Sequence, residues 1–160
     1  RRPTDIFTPL PIAREFALDI TPDHCPAGAL MADELAEEGR PVLVGPSLGS
    51  KSKIELANKS FETPGILARA GLKTAIITDA PVIPLAHLPL CAGLAVRAGM
   101  DEEDAWKAVT INPAEIAGIA DRVGSLAPGK DADIAVFRGN PLTDVGYQTA
   151  AVFVDGVRRV

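Results

Sequence analysis

The sequence predicts an α/β chain, short buried parallel strands alternating with covering helices, followed by a smaller part built of strands. Three observations carry this. Apolar runs of strand length at residues 18–23, 41–45 and 73–78 are separated by stretches of helical length. Each of those stretches stops at a glycine, Gly39 after residues 29–38 and Gly71 after residues 63–70, where a left-handed C-terminal cap is wanted. The two outer runs also deliver polar side chains at their ends, His24 after the first and Asp79 after the third.

The elements follow in order. The run Leu18-Asp-Ile-Thr-Pro-Asp23 reads as a strand leading into His24, and residues 29–38 as a helix. Pro41-Val-Leu-Val-Gly45 is the second strand, and residues 63–70 form the next helix, with Pro64 near its start. Lys73-Thr-Ala-Ile-Ile-Thr78 is the third strand and ends in Asp79. Three strands are too few to close a barrel, which needs eight, so the sheet is either small and open or one part of a larger domain. A helix opens at Pro89 and runs through Val96, Asp101 to Asp104 make an acidic first turn for residues 105–109, and Asn112-Pro113 caps and opens another. Beyond Gly124 the pattern becomes extended, with strands at 133–137 and 149–154 and a hairpin turn at Asp155-Gly156.

A carboxylate at the C-terminal end of a buried strand is where α/β barrels place a metal ligand or proton acceptor. Asp79 meets that description, and His24 supplies a second ligand type in an equivalent place. Each has a plainer explanation on its own, a helix cap for the aspartate and a structural role for the histidine. Gly45-Pro-Ser-Leu-Gly49 matches the Gly-x-Ser-x-Gly elbow of serine hydrolases, with Asp79 and His87 following in the right order. The alternative of a serine hydrolase using Ser47 is weak because Ser-Lys-Ser-Lys53 is no clear helix start. Gly124-Ser-Leu-Ala-Pro-Gly129-Lys130 has the spacing of a phosphate-binding loop, but Pro128 removes an N–H, Asp131 replaces the hydroxyl and a strand follows. Lys51 and Lys53 are read as a solvated pair, Trp106 as core, and Cys25 and Cys91 as packed thiols.

Several stretches give the chain a specific resemblance: Val44-Gly-Pro-Ser-Leu-Gly49, Ile76-Ile-Thr-Asp79 before Pro-Val-Ile-Pro84, Leu88-Pro-Leu-Cys-Ala-Gly-Leu-Ala-Val96, Ala98-Gly-Met100, Thr110-Ile-Asn-Pro-Ala114, and Val123-Gly-Ser-Leu-Ala-Pro-Gly-Lys-Asp-Ala-Asp133. From Thr4-Asp-Ile onward it resembles the C-terminal part of the amidohydrolase superfamily, near its imidazolonepropionase-like branch. The resemblance implies the C-terminal portion of a (β/α)8 TIM-type barrel, strands six to eight with their helices, over residues 1–122. Part of a small β-sandwich follows over residues 123–160.

It also implies a metal-dependent hydrolase of non-peptide carbon–nitrogen bonds, in amides or cyclic amides. One or two divalent ions, zinc by the resemblance, activate water. His24 on strand six and Asp79 on strand eight become the catalytic and metal-ligating residues. The family's first-strand His-x-His pair and fourth-strand ligand have no counterpart in residues 1–160. Arg1 stands where the fifth-strand histidine is expected, and a guanidinium offers no lone pair to a metal. Ala80 replaces the histidine often found after the aspartate. The isolated chain is therefore expected to turn over little substrate, and a non-catalytic remnant or scaffold with a broken metal site is the competing expectation.

Composition bounds the partners. With 160 residues, 47% of them hydrophobic, the chain is long enough to bury a core. A net charge of -5 with interspersed signs offers no basic patch for nucleic acid. No window approaches bilayer length and no leader precedes the first strand, so the expected location is cytoplasmic, away from membranes. The expected partner is a small-molecule substrate, with a homo-oligomer allowed.

Overall fold

The computed structural model describes residues 8–160. The readings of Arg1 and of Thr4-Asp-Ile lie outside the described residues. Strands β1 (Val42–Val44) and β2 (Thr74–Ile76) pair in parallel, with Val42 opposite Thr74 and Val44 opposite Ile76. β2 is buried along its whole length and β1 at Val42 and Val44, because helices pack on either side, as parallel sheets require.

The first expected strand is a correction. Residues 18–23 are not a regular strand, although the chain around residues 22–24 does lie along the free edge of β1. Leu43 N–H donates to the Pro22 carbonyl at 2.9 Å and Gly45 N–H to the His24 carbonyl at 3.2 Å. The return half of the ladder is missing for two local reasons. Pro22 has no N–H, and the His24 N–H donates instead to Asp23 Oδ1 at 2.7 Å.

The helices are α1 (Pro9–Glu15), α2 (Ala32–Glu38), α3 (Thr63–Arg69), α4 (Leu88–Arg97), α5 (Glu102–Val109) and α6 (Ile111–Ile116). Helix α1 has no counterpart in the sequence reading. The helix expected over residues 29–38 splits into a 3-10 turn, Gly28–Met31, and α2, which ends at Gly39 with φ 65° and its N–H on the Ala36 carbonyl. Asp101 caps α5, its carboxylate accepting the N–H groups of Glu103 and Asp104 at 2.9 and 3.2 Å.

Asn112 is a second correction. It lies inside α6 rather than capping it, and its Nδ2 donates to the Thr74 carbonyl of β2 at 2.8 Å. Thr110 precedes the helix in its place, and the amide is drawn to an otherwise idle strand carbonyl 38 residues away.

Two apolar clusters flank the parallel pair. One gathers Cys25, Met31, Leu35, Val42, Val44, Leu67 and Leu72 under α2 and α3. The other joins Ile76 to Cys91, Ala92, Ala95, Met100, Ala105 and Ala108 of the α4–α5 side, and includes Leu142. Strands β3 (Ile134–Arg138), β4 (Gln148–Val154) and β5 (Val157–Arg158) form an antiparallel sheet with a register shift between Val136 and Phe137. Asp155 and Gly156 turn the β4–β5 hairpin with φ 51° and 74°, the paired positive values of a tight two-residue loop. Among the described residues no helix is long and apolar enough to cross a membrane.

Leu142 links the two parts at close range. A Cβ on Gly93 would clash with the Leu142 carbonyl oxygen, so α4 can meet the 139–142 segment only through a glycine. Gly93→Ala should therefore lower the unfolding free energy by about 1–3 kcal/mol, the usual cost of overpacking. Ser52→Ala, on an exposed loop, should stay within about 0.5 kcal/mol. Urea titration followed by circular dichroism measures both, and equal midpoints would show that this approach is not tight.

Candidate functional site

His24, beside the free edge of β1, and Asp79, three residues beyond β2, lie in the left-handed backbone region at φ 66° and 52°, and Cys25 follows His24 at 37°. Non-glycine residues held there cost of order 1–3 kcal/mol each, so the surroundings must impose the conformation. Those surroundings are rigid. Cys25 is fully buried in the first cluster, and Thr78, just before Asp79, is 3% exposed.

The imidazole is aimed by one hydrogen bond. His24 Nδ1 lies 2.9 Å from the Gly45 carbonyl oxygen. A carbonyl can only accept, so Nδ1 carries the proton and Nε2 of the neutral ring presents its lone pair outward. Nε2 lies 3.9 Å from Asp79 Oδ2 and 3.6 Å from Asp23 Oδ2. The two residues singled out in the sequence thus meet at one end of the sheet. Asp23 joins them, a neighbour that sequence reasoning assigned only to a strand.

His24 and Asp79 border a cleft of about 440 Å³ walled by the loop after β1 and by Val82 and Ile83. Lys59 is the second residue the sequence reading missed. Its ammonium donates to three successive carbonyls, Leu48 at 3.2 Å, Gly49 at 2.9 Å and Ser50 at 3.3 Å. Burial, and then the nearby Lys51 charge, pull its pKa below the ordinary lysine value. Lys51 and Lys53 do not act as one pair. Lys51 donates to the Ala57 carbonyl at 2.8 Å, whereas Lys53 lines the cleft.

His24 and Asp79 fit a divalent metal as part of a donor set. An imidazole nitrogen and a carboxylate oxygen 3.9 Å apart can share one ion at about 2.0–2.2 Å from each. Among the described residues, however, no group of three or more His, Cys, Asp or Glu side chains is placed to hold a metal, and a catalytic zinc keeps three protein ligands.

The other chemistries lack their settings. Ser47 lines the cleft with no hydrogen bond to His24 or Asp79, and a loop and the 3-10 turn Ile54–Leu56 follow it instead of a helix. His87 is exposed on a 3-10 turn away from the cleft lining. Near the phosphate-loop-like stretch, Lys130 donates to the Ala120 and Val123 carbonyls and so holds the turn together.

A site of this kind, at the ends of parallel strands, marks a class of α/β hydrolases, and comparison with known proteins agrees. Residues 24–159 match the amidohydrolase family, and the chain belongs to that family. It is 43% identical over 74 residues to the imidazolonepropionase of Geobacillus kaustophilus, a match over 44% of this chain and 18% of the relative. Adenine deaminase 2 of Bradyrhizobium diazoefficiens is 44% identical over 68 residues, 42% of this chain and 10% of the relative. A crystal structure of an amidohydrolase from Thermotoga maritima superposes with a TM-score of 0.94 at 40% identity, over 99% of this chain and 41% of that one. This likeness places the chain in the α/β TIM-type fold. The chain spans well under half the length of each of these proteins.

The buried thiols generate a test. Burial pushes the Cys25 thiol up to about 11 and raises that of Cys91 as well. Thiolate, the reactive form, is thus scarce at Cys25 in the folded chain until the pH approaches about 11. Iodoacetamide at pH 8 should modify neither cysteine in native protein and both in urea, read by mass spectrometry. Rapid native alkylation of Cys25 would mean that it is not packed as described.

Proposed function

We propose that the chain is the C-terminal portion of a (β/α)8 barrel, residues 1–122, with part of a small β-sandwich over 123–160, from a metal-dependent hydrolase of amide or cyclic amide bonds. The observation that carries the proposal is the meeting of His24 Nε2 and Asp79 Oδ2 at 3.9 Å with the imidazole tautomer held by Gly45. Family membership supports hydrolysis of carbon–nitrogen bonds, and members of the family are generally metal-dependent.

One or two bound divalent ions, zinc first among them, would supply Lewis-acid activation of water near neutral pH. His24 Nε2 and Asp79 are the residues of this chain that would hold them. Asp79 also accepts the proton of the attacking water at Oδ2. As the carbon–nitrogen bond breaks, the same carboxyl group returns that proton to the departing nitrogen. Gly45 keeps His24 from rotating, so its lone pair stays directed at the reacting end of the cleft. Val82, Ile83 and Leu48 give the cleft an apolar wall against which a small-molecule substrate packs.

A second reading, a scaffold with a broken metal site, is favoured by the short donor set among the described residues. Zinc content and hydrolysis measured together separate the two. In zinc-loaded protein that includes the upstream strands, Asp79→Ala should lower kcat/KM by about 10²–10⁴-fold, the usual effect of losing a general base. His24→Ala should also slow hydrolysis, whereas Ser47→Ala should stay within a few-fold. If Ser47→Ala abolished turnover while Asp79→Ala bound zinc and worked normally, the serine-hydrolase alternative would replace this reading. Protein that retains no zinc and hydrolyses nothing would favour the scaffold.

A further inference from the structure

One wall of the cleft is fastened largely through a single side chain. Residues 46–52 follow β1 and include the lining residues Ser47, Leu48, Gly49 and Ser50, and among the described residues they make no backbone-to-backbone hydrogen bond. Backbone bonding resumes in the turn beyond, where Leu56 N–H donates to the Lys53 carbonyl and Lys59 N–H to the Leu56 carbonyl, each at 3.0 Å. Lys59 therefore stands on anchored chain and reaches back. Its Nζ donates to the Leu48, Gly49 and Ser50 carbonyls at 3.2, 2.9 and 3.3 Å. Two weaker ties remain, the Leu48 side chain against the second apolar cluster and the Lys51 ammonium on Ala57, within the same excursion of chain.

An ammonium has three N–H donors and no acceptor. Here consecutive carbonyls take all three, so none remains for a substrate, and Lys59 can act on the cleft only through the loop. Among the described residues no carboxylate lies within ion-pair distance of Nζ, and the carbonyl dipoles hold the charge against burial and the nearby Lys51. Without the ammonium, three carbonyl oxygens of partial negative charge would face one another with no donor between them. They would turn to water, and the wall would turn with them. The arrangement is that of a cation held by backbone carbonyls, with the cation carried on the chain itself.

We propose that Lys59 is the positioning residue of the cleft wall, a built-in cation that gathers residues 48–50, and that its place accepts a small primary ammonium ion when the side chain is removed. This rests on the reading of the cleft as a substrate site, whereas the state of the loop can be followed without turnover.

Amide resonances of the 160-residue chain are followed by NMR. Lys59→Met, neutral and of similar length, should move the Leu48, Gly49, Ser50 and Lys51 amides toward unstructured positions and leave those of α4 in place. Lys59→Ala should do the same. Propylammonium supplies the deleted Cγ, Cδ, Cε and Nζ and should return the loop resonances saturably. Propyltrimethylammonium, which has the charge and the stem but no N–H, should not. In zinc-loaded protein that includes the upstream strands, Lys59→Met should raise KM about tenfold, the worth of one charge-assisted hydrogen bond, with kcat within about twofold. Should Lys59→Ala fail to fold, Lys59→Met decides. Native loop resonances in Lys59→Met, or equal rescue by the trimethylated ion, would overturn the clamp. A released loop with KM unchanged would overturn its role in the cleft. Rescue of the loop in protein that hydrolyses nothing would leave the clamp standing and remove the hydrolase reading.

Discussion

The site depends on the backbone of Gly45. Its N–H donates to the His24 carbonyl, its carbonyl accepts His24 Nδ1, and a Cβ on it would clash with the Ile77 carbonyl oxygen. At φ 142° this position suits glycine and little else. One residue thus fastens the incoming chain to β1, brings the β2 exit close, and sets the proton on the imidazole. Without that approach His24 and Asp79 would end two neighbouring strand lines but would not face each other.

The strain at His24, Cys25 and Asp79 belongs to the same arrangement. Three left-handed non-glycine residues lie at the sheet end. Cys25 is packed beneath α3, where Gly28 and Leu67 close around it, and Thr78 is buried one residue before Asp79. The tight packing of the first cluster explains how this strain persists. It also accounts for the full burial of Cys25 next to a histidine that is only partly buried.

Away from the site, stability comes from how the second cluster joins its parts. Alanines on α4 and α5 let those helices approach β2 closely, and Gly65 lets α3 lie against Met100. Leu142 carries the same core into the segment between β3 and β4. The antiparallel sheet adds its own local order through the Asp155-Gly156 turn and the edge-to-face contact of Phe137 with Tyr147, whose ring centroids are 5.6 Å apart.

Local chemistry was enough for the sequence to determine the alternation of apolar runs and helices, the glycine stops at Gly39 and Gly71, the hairpin at Asp155-Gly156, and Asp79 as the polar end of a buried run. Each of those signals is contained within a few residues of chain. Tertiary structure decided what depends on distant partners. The run at 18–23 lost its regular ladder because Pro22 has no N–H and Asp23 captured that of His24. Asn112 left its expected cap for the Thr74 carbonyl 38 residues away. Lys59 carried no motif in the sequence, since its role exists only once the loop at 48–50 folds back over it. The sequence singled out His24 and Asp79 because their types and their places after apolar runs are local facts. Their separation, the imidazole tautomer and the polar wall of the cleft arise from backbone groups, which no side-chain pattern encodes.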